Sequence, residues 1–154
     1  MDLVDILLFL HFFGVIAGIG PTFVFGRIAG AGAGTEHGMF ATRVVRMLTR
    51  GTAIPLSALV LVSGFALIFE IGFDLTDTPW LLISVILFLG AFTYSVTVQN
   101  PTLGRVIALS DAGETASPTF AADIARLRKR VRYGGVYLRT SAIVILALMV
   151  FKPF

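Results

Sequence analysis

The chain has 154 residues, of which 56% are hydrophobic and only 14% charged, and its mean hydropathy is +0.92. Those values exclude a soluble globular domain of this length and indicate a single integral membrane domain covering residues 1–154. The absence of cysteine removes disulfides, thiolate metal sites and thiol catalysis, and the net charge of +3 has to be placed on one side of a membrane or the other.

The first predicted element covers residues 3–27 and is long enough to cross a bilayer, which takes about 20 residues. Asp2 and Asp5 stand where a signal peptide would carry basic residues, so the segment reads as a retained span. His11, Gly14, Gly18 and Thr22 fall on one side of it at 100° per residue, and the remaining faces are Leu, Ile, Val and Phe. A polar side chain at lipid depth is costly, so this side should turn toward the other spans. Gly14 and Gly18 permit close helix approach, within the chain or at a dimer seam, and Pro21 invites a kink.

A glycine-rich turn follows Arg27. No strand precedes it and no Gly-Lys-Ser/Thr ends it, so it does not read as a phosphate-binding loop. Residues 39–52 continue as a helix before the membrane, with Arg43, Arg46 and Arg50 on one face and Phe40, Val44 and Met47 on another. The second span is expected at 53–73, after a bend at Gly51 and Pro55. Thr52, Leu56, Leu59, Ser63, Ala66 and Glu70 form its interior stripe.

The third span, 79–98, opens with Asp77 or Thr78 as cap and Pro79 in the first turn, and Trp80 sits at interface depth. Gly90, Thr93, Thr97, Asn100 and Gly104 share a face, and Asn100-Pro101 is expected to break the helix. Pro21, Pro55 and Pro101 thus lie at one level, either as packing devices or around a cavity. Ser117 and Pro118 open a basic amphipathic helix over 118–134. Its apolar seam Phe120, Ile124, Leu127 and Val131 should pack on the 39–52 extension. The fourth span is 135–151, where Arg139 either snorkels to the surface or anchors an acidic group near Asn100 and Thr97.

The expected architecture is therefore an all-α, four-helix transmembrane bundle with the second and fourth helices extended into the cytoplasm. Eleven of the twelve basic residues fall in the first and third connections or at their helix ends. The positive-inside rule places those connections in the cytoplasm and both termini outside. The excess charge then belongs to a membrane's inner face, where it meets anionic lipid headgroups or an acidic partner, and nucleic acid is not expected.

No nucleophile–base pair has useful spacing, and no zinc signature is present, so a catalytic set is not defined. His11 lies roughly 12 Å below the outer end of its helix, at 1.5 Å per residue. Its imidazole can be a ligand for haem b or copper above the glycine face, or a hydrogen-bonding partner of a neighbouring span. Arg139 joins it as a candidate cofactor contact, and Glu70, Thr93, Thr97 and Asn100 complete the candidate polar set. The outer acidic rim of Asp2, Asp5, Glu70, Asp74 and Asp77 either gathers cations or simply reflects the lack of positive charge outside.

The run around Leu10-His11, with Gly18, Gly20, Pro21 and the closing arginine, resembles the first helix of small bacterial four-helix proteins described only as predicted integral membrane proteins. That group is distantly similar to the HemJ-type membrane protoporphyrinogen oxidase and to the CopD copper-resistance domain. The HemJ likeness implies haem b at His11 together with a functional lysine in the third helix, and the third helix here has no lysine. The resemblance implies a multi-pass protein of the cell inner membrane. Three roles follow: an accessory membrane subunit, haem-bearing or not; a haem-dependent oxidoreductase; or a copper or cation transport component. A homo-oligomer or a larger membrane complex is compatible with each.

Overall fold

A computed structural model describes residues 2–32, 37–113 and 119–153. The expected cap and first-turn residues Ser117 and Pro118, and the acidic loop residues Glu36 and Glu114, lie outside the described residues. Four long apolar helices make up the described chain: α1 (Leu3–Ala31), α2 (Gly38–Ile71), α3 (Pro79–Ala112) and α4 (Phe120–Phe151). Each is long and apolar enough to cross a membrane. At 34 residues, α2 and α3 run about 50 Å, which leaves about 20 Å of each beyond a hydrocarbon core of about 30 Å.

Local chemistry sets the helix ends. The carboxylate of Asp5 accepts from the Asp2 backbone N–H at 3.1 Å, closing the first turn of α1. Gly72 ends α2 in the left-handed region, φ 76°, with its N–H donating to Ile68 O at 3.1 Å. Pro79 occupies the first turn of α3, where a missing N–H costs nothing, and the Thr78 hydroxyl donates to Asp74 O.

Three helices contain one π-helical turn each: Val15–Ile19, Thr49–Ala53 and Ser95–Gln99. Each ends two residues before a proline, Pro21, Pro55 and Pro101. A proline ring collides with the carbonyl four residues back and supplies no N–H. Widening the preceding turn by one residue absorbs both defects without ending the helix. This corrects the expected break at Asn100-Pro101. The helix continues through the wide turn to Ala112, so α3 is prolonged at the same end as α2 and α4.

The helices pair as two hairpins, α1 with α2 and α3 with α4. At the acidic end the hairpins meet through Ile68, Trp80 and Leu81, with Phe65, Leu75, Leu148 and Met149 packed around them. Trp80 is thus buried in this contact; Phe73 meets it edge-on and Lys152 Nζ lies 5.4 Å from its ring centre.

At the basic end the extension of α2 packs on the extension of α3, and Arg43 reaches Asp111 at 2.5 Å. The seam of α4 is buried at Ile124 as expected, but it packs on α3 beyond Pro101, where Leu103 and Val106 are also buried, instead of on the α2 extension. The uninterrupted α3 occupies the intervening position. The packed face of the α2 extension also differs: Ala41, Val45 and Thr49 are buried, whereas Phe40 and Met47 are 70% and 65% exposed. Small side chains permit the close approach that Phe and Met would block.

Candidate functional site

His11 faces α2. Its Nδ1 lies 3.1 Å from Val60 O and 3.2 Å from Ser63 Oγ. A carbonyl can only accept, so Nδ1 carries the proton in this bond. Ser63 in turn donates to Leu59 O at 2.7 Å. The imidazole lies beside Gly64, where a Cβ would come within 3.1 Å of Cε1. Of the two open roles for His11, this geometry corresponds to the hydrogen bond to a neighbouring span.

Gly14 and Gly18 continue the same seam. A Cβ at Gly14 would lie 2.7 Å from Val60 Cγ2, and one at Gly18 would lie 2.6 Å from Leu56 Cβ. The glycine face is therefore filled by α2. It does not fit a flat macrocycle, because Leu56 and Val60 already occupy the surface such a group would need. The Gly14-xxx-Gly18 pair is used inside the chain, not at a seam with a second copy.

Other candidates are dispersed. Glu70 is exposed at the end of α2 rather than interior. Thr93 and Thr97 are exposed, and the Thr97 hydroxyl donates to its own helix at Thr93 O, 2.7 Å. Thr93 lies opposite the buried Trp80–Ser84 face at 100° per residue and so turns outward before the wide turn at Ser95–Gln99 begins; that turn then shifts the residues after it. The buried line on α3 runs from Trp80 and Ser84 to Gln99, Thr102 and Val106 instead. In the rim, Asp74 is spent on its own turn, accepting from Thr76 N at 2.8 Å and from the Thr76 hydroxyl at 2.7 Å. Those bonds hold its carboxyl below the usual carboxylate pKa. Among the described residues no three His, Cys, Asp or Glu side chains converge.

Arg139 does not reach Asn100 or Thr97 in any described bond. Its Nε donates to Gly135 O at 3.1 Å, and its guanidinium rests on Gly26 of α1, where a Cβ would lie 3.0 Å from Nη1. Arg46 of α2 lies in the same way on Gly104 of α3, with Nη2 at 3.0 Å from a Cβ position there. Tyrosines repeat the device between α3 and α4: Tyr137 reaches Gly90, and Tyr94 reaches Gly134 with Gln99 beside it. The two rings meet edge-on at 5.2 Å.

Sequence reading missed this pairing of long polar side chains with glycines on the facing helix. Its signal was available only as glycines outside turns, because the partner across the seam is not written locally. Among the described residues three buried polar atoms lack a partner: Oδ1 of Asn100, which the candidate polar set included, and Arg46 Nε and Gln99 Oε1, which it did not. All three lie at the basic end of α2 and α3, even though the Gln99 amide donates to Val131 O at 3.1 Å. Elsewhere, the hydroxyls of Ser63, Ser84, Thr49 and Thr102 are satisfied within their own helices.

Residues 5–153 match a protein family described as predicted integral membrane protein (DUF2269). No curated protein and no solved structure matches the chain.

Proposed function

The chain belongs to the DUF2269 family of predicted integral membrane proteins, and from that premise we propose that it works as a non-catalytic accessory subunit of the inner membrane, making its contacts at its basic end. The observation that carries this reading is the distribution of unmet polar atoms. The intramembrane imidazole is spent on joining α1 to α2, while Arg46, Gln99 and Asn100 keep unpartnered buried atoms at the basic end. An unpaired buried donor or acceptor costs about 1–3 kcal/mol, so a partner whose docking let these atoms turn outward would recover that bonding. Eleven basic residues flank this end, which supports a cytoplasmic location for it and external termini.

Two measurements test the reading. The native chain has no cysteine, so single cysteines at Thr76 and Ala121 report sidedness cleanly. Thr76→Cys should react with an impermeant thiol reagent from outside intact cells, and Ala121→Cys only after lysis; the reverse pattern sinks the orientation. The detergent-purified protein should show no haem Soret band, and His11→Ala should lower stability without changing the spectrum. A Soret band that vanishes in His11→Ala would replace this reading with the haem-dependent one.

A further inference from the structure

A groove of about 600 Å³ runs between α3 and α4 at the basic end. Tyr94, Tyr137 and Gly134 form its membrane-side wall, and Arg126, Lys129 and Arg130 stand at its other end. From Tyr137 to Arg126 is 11 residues along α4, or about 16 Å. The groove therefore begins at tyrosines in the span and ends at cations in the extension.

From this we infer that the groove holds the phosphate of an anionic phospholipid, with the headgroup among Arg126, Lys129 and Arg130 and the acyl chains alongside Tyr94 and Tyr137. Three observations support that occupant. First, the cations are available. Lys129 and Arg130 have no carboxylate partner among the described residues, and Arg126 approaches only Asp123, at 4.0 Å and largely exposed. Second, the ammonium is positioned: Lys129 Nζ lies 5.9 Å from the centre of the Tyr133 ring, with Arg132 at 5.5 Å from the same ring. Third, the walls are mainly carbon and the groove is open along the outside of the helix pair. A free phosphate would gain nothing from that apolar length, whereas a lipid uses both ends. The reciprocal seating of Tyr94 on Gly134 and Tyr137 on Gly90 keeps the two helices close enough to form one wall. The neighbouring groove around Arg105 and Leu109 includes Asp123 and is less suited to an anion. This inference goes beyond the accessory-subunit reading and does not depend on it.

The test uses the full chain. Protein purified in a neutral detergent is incubated with mixed micelles of phosphatidylcholine and phosphatidylglycerol, exchanged, and assayed for retained lipid by mass spectrometry. Lys129→Gln combined with Arg130→Gln removes two charges from the groove. Arg50→Gln combined with Arg128→Gln removes two exposed charges at the same end but outside it. Attraction of anionic lipid by a surface cation contributes enough that the groove pair should retain about tenfold less phosphatidylglycerol, while the control pair stays near wild type. Tyr94→Phe should give a smaller loss with the same unfolding midpoint. Equal loss in both pairs overturns the site in favour of diffuse attraction. Displacement of the lipid by inorganic phosphate assigns the cations to a free anion and equally overturns it. A groove pair that is destabilised in phosphatidylcholine alone makes the residues structural and overturns it too.

Discussion

The seam inside the first hairpin and the seam between the hairpins both rely on glycine, but they are built to different tolerances. Where α1 meets α2, Gly14 and Gly18 press against Leu56 Cβ, Leu56 O and Val60, which are backbone or atoms rigidly attached to it. Where the hairpins meet at the basic end, Gly26 and Gly104 face only guanidinium groups at the tips of Arg139 and Arg46. Backbone cannot retreat without moving a helix, whereas an arginine can swing aside. The first seam therefore fixes a hairpin as a unit, and the second lets two units adjust to each other. The lesson is that a glycine's importance in a membrane bundle is set by the stiffness of what faces it.

The largest effect should come from Gly18→Ala. The new methyl would stand 2.6 Å from Leu56 Cβ and force α1 away from α2, at about 2 kcal/mol for overpacking of a tight seam. Thermal unfolding followed through Trp80, the sole tryptophan, would read it as a clear fall in midpoint. An unchanged midpoint would mean that the hairpin is not the rigid unit described. Gly134→Ala comes next. Its Cβ would overlap Gln99 Oε1 and lie 2.6 Å from Tyr94 Oη, but both are side-chain atoms, so about 1 kcal/mol is expected.

Four spans, the two polar extensions and the inward direction of His11 were legible because each follows from local content: apolar length, charge placement and the cost of a polar group in hydrocarbon. The shared face Gly90–Thr93–Thr97 was not. Thr93 stands opposite Trp80 and Ser84 and faces outward, and only beyond the wide turn at Ser95–Gln99, where the period breaks, do Asn100 and Gly104 come partly inside. The same turn carried α3 onward to Ala112, which put it between the extensions of α2 and α4 and changed the partner of the Ile124 seam. Proline is visible in a sequence, but whether the helix ends or widens is decided by the packing around it. The contacts of Arg46 and Arg139 with glycines were likewise invisible, since they join residues 58 and 113 positions apart along the chain (104 − 46 and 139 − 26).

His11→Ala sits between the two seams in expected size. It removes the hydrogen bond to Val60 O and leaves Ser63 satisfied by Leu59 O, so the loss should be about 0.6 kcal/mol, the average for hydrogen bonds between membrane helices, and no more than about 1.7. Combining it with Gly18→Ala should give less than the sum, because the seam is already opened; additive losses would show that His11 acts outside the seam. Gly104→Ala, in contrast, should shift the midpoint by no more than about 0.5 kcal/mol, since only the end of Arg46 has to move. A loss as large as that of Gly18→Ala would erase the contrast between stiff and yielding seams.

The smallest effect concerns the acidic turn joining the two hairpins. Thr76 donates from its hydroxyl and its backbone N–H to Asp74, and this lowers the carboxyl's pKa relative to the unfolded chain. The folded state thus favours the ionised form. Its contribution is present above the ordinary carboxylate pKa and fades as pH falls through the depressed folded value. Asp74 is fully exposed, so the effect on overall stability is slight and is best read locally. Amide exchange at Thr76 should accelerate, relative to the intrinsic rate, as the pH drops below the carboxylate range, and Asp74→Asn should flatten that dependence. An acid response that survives Asp74→Asn would move the titrating group elsewhere and leave the turn as an ordinary connection, governed by Gly72 and Pro79 alone.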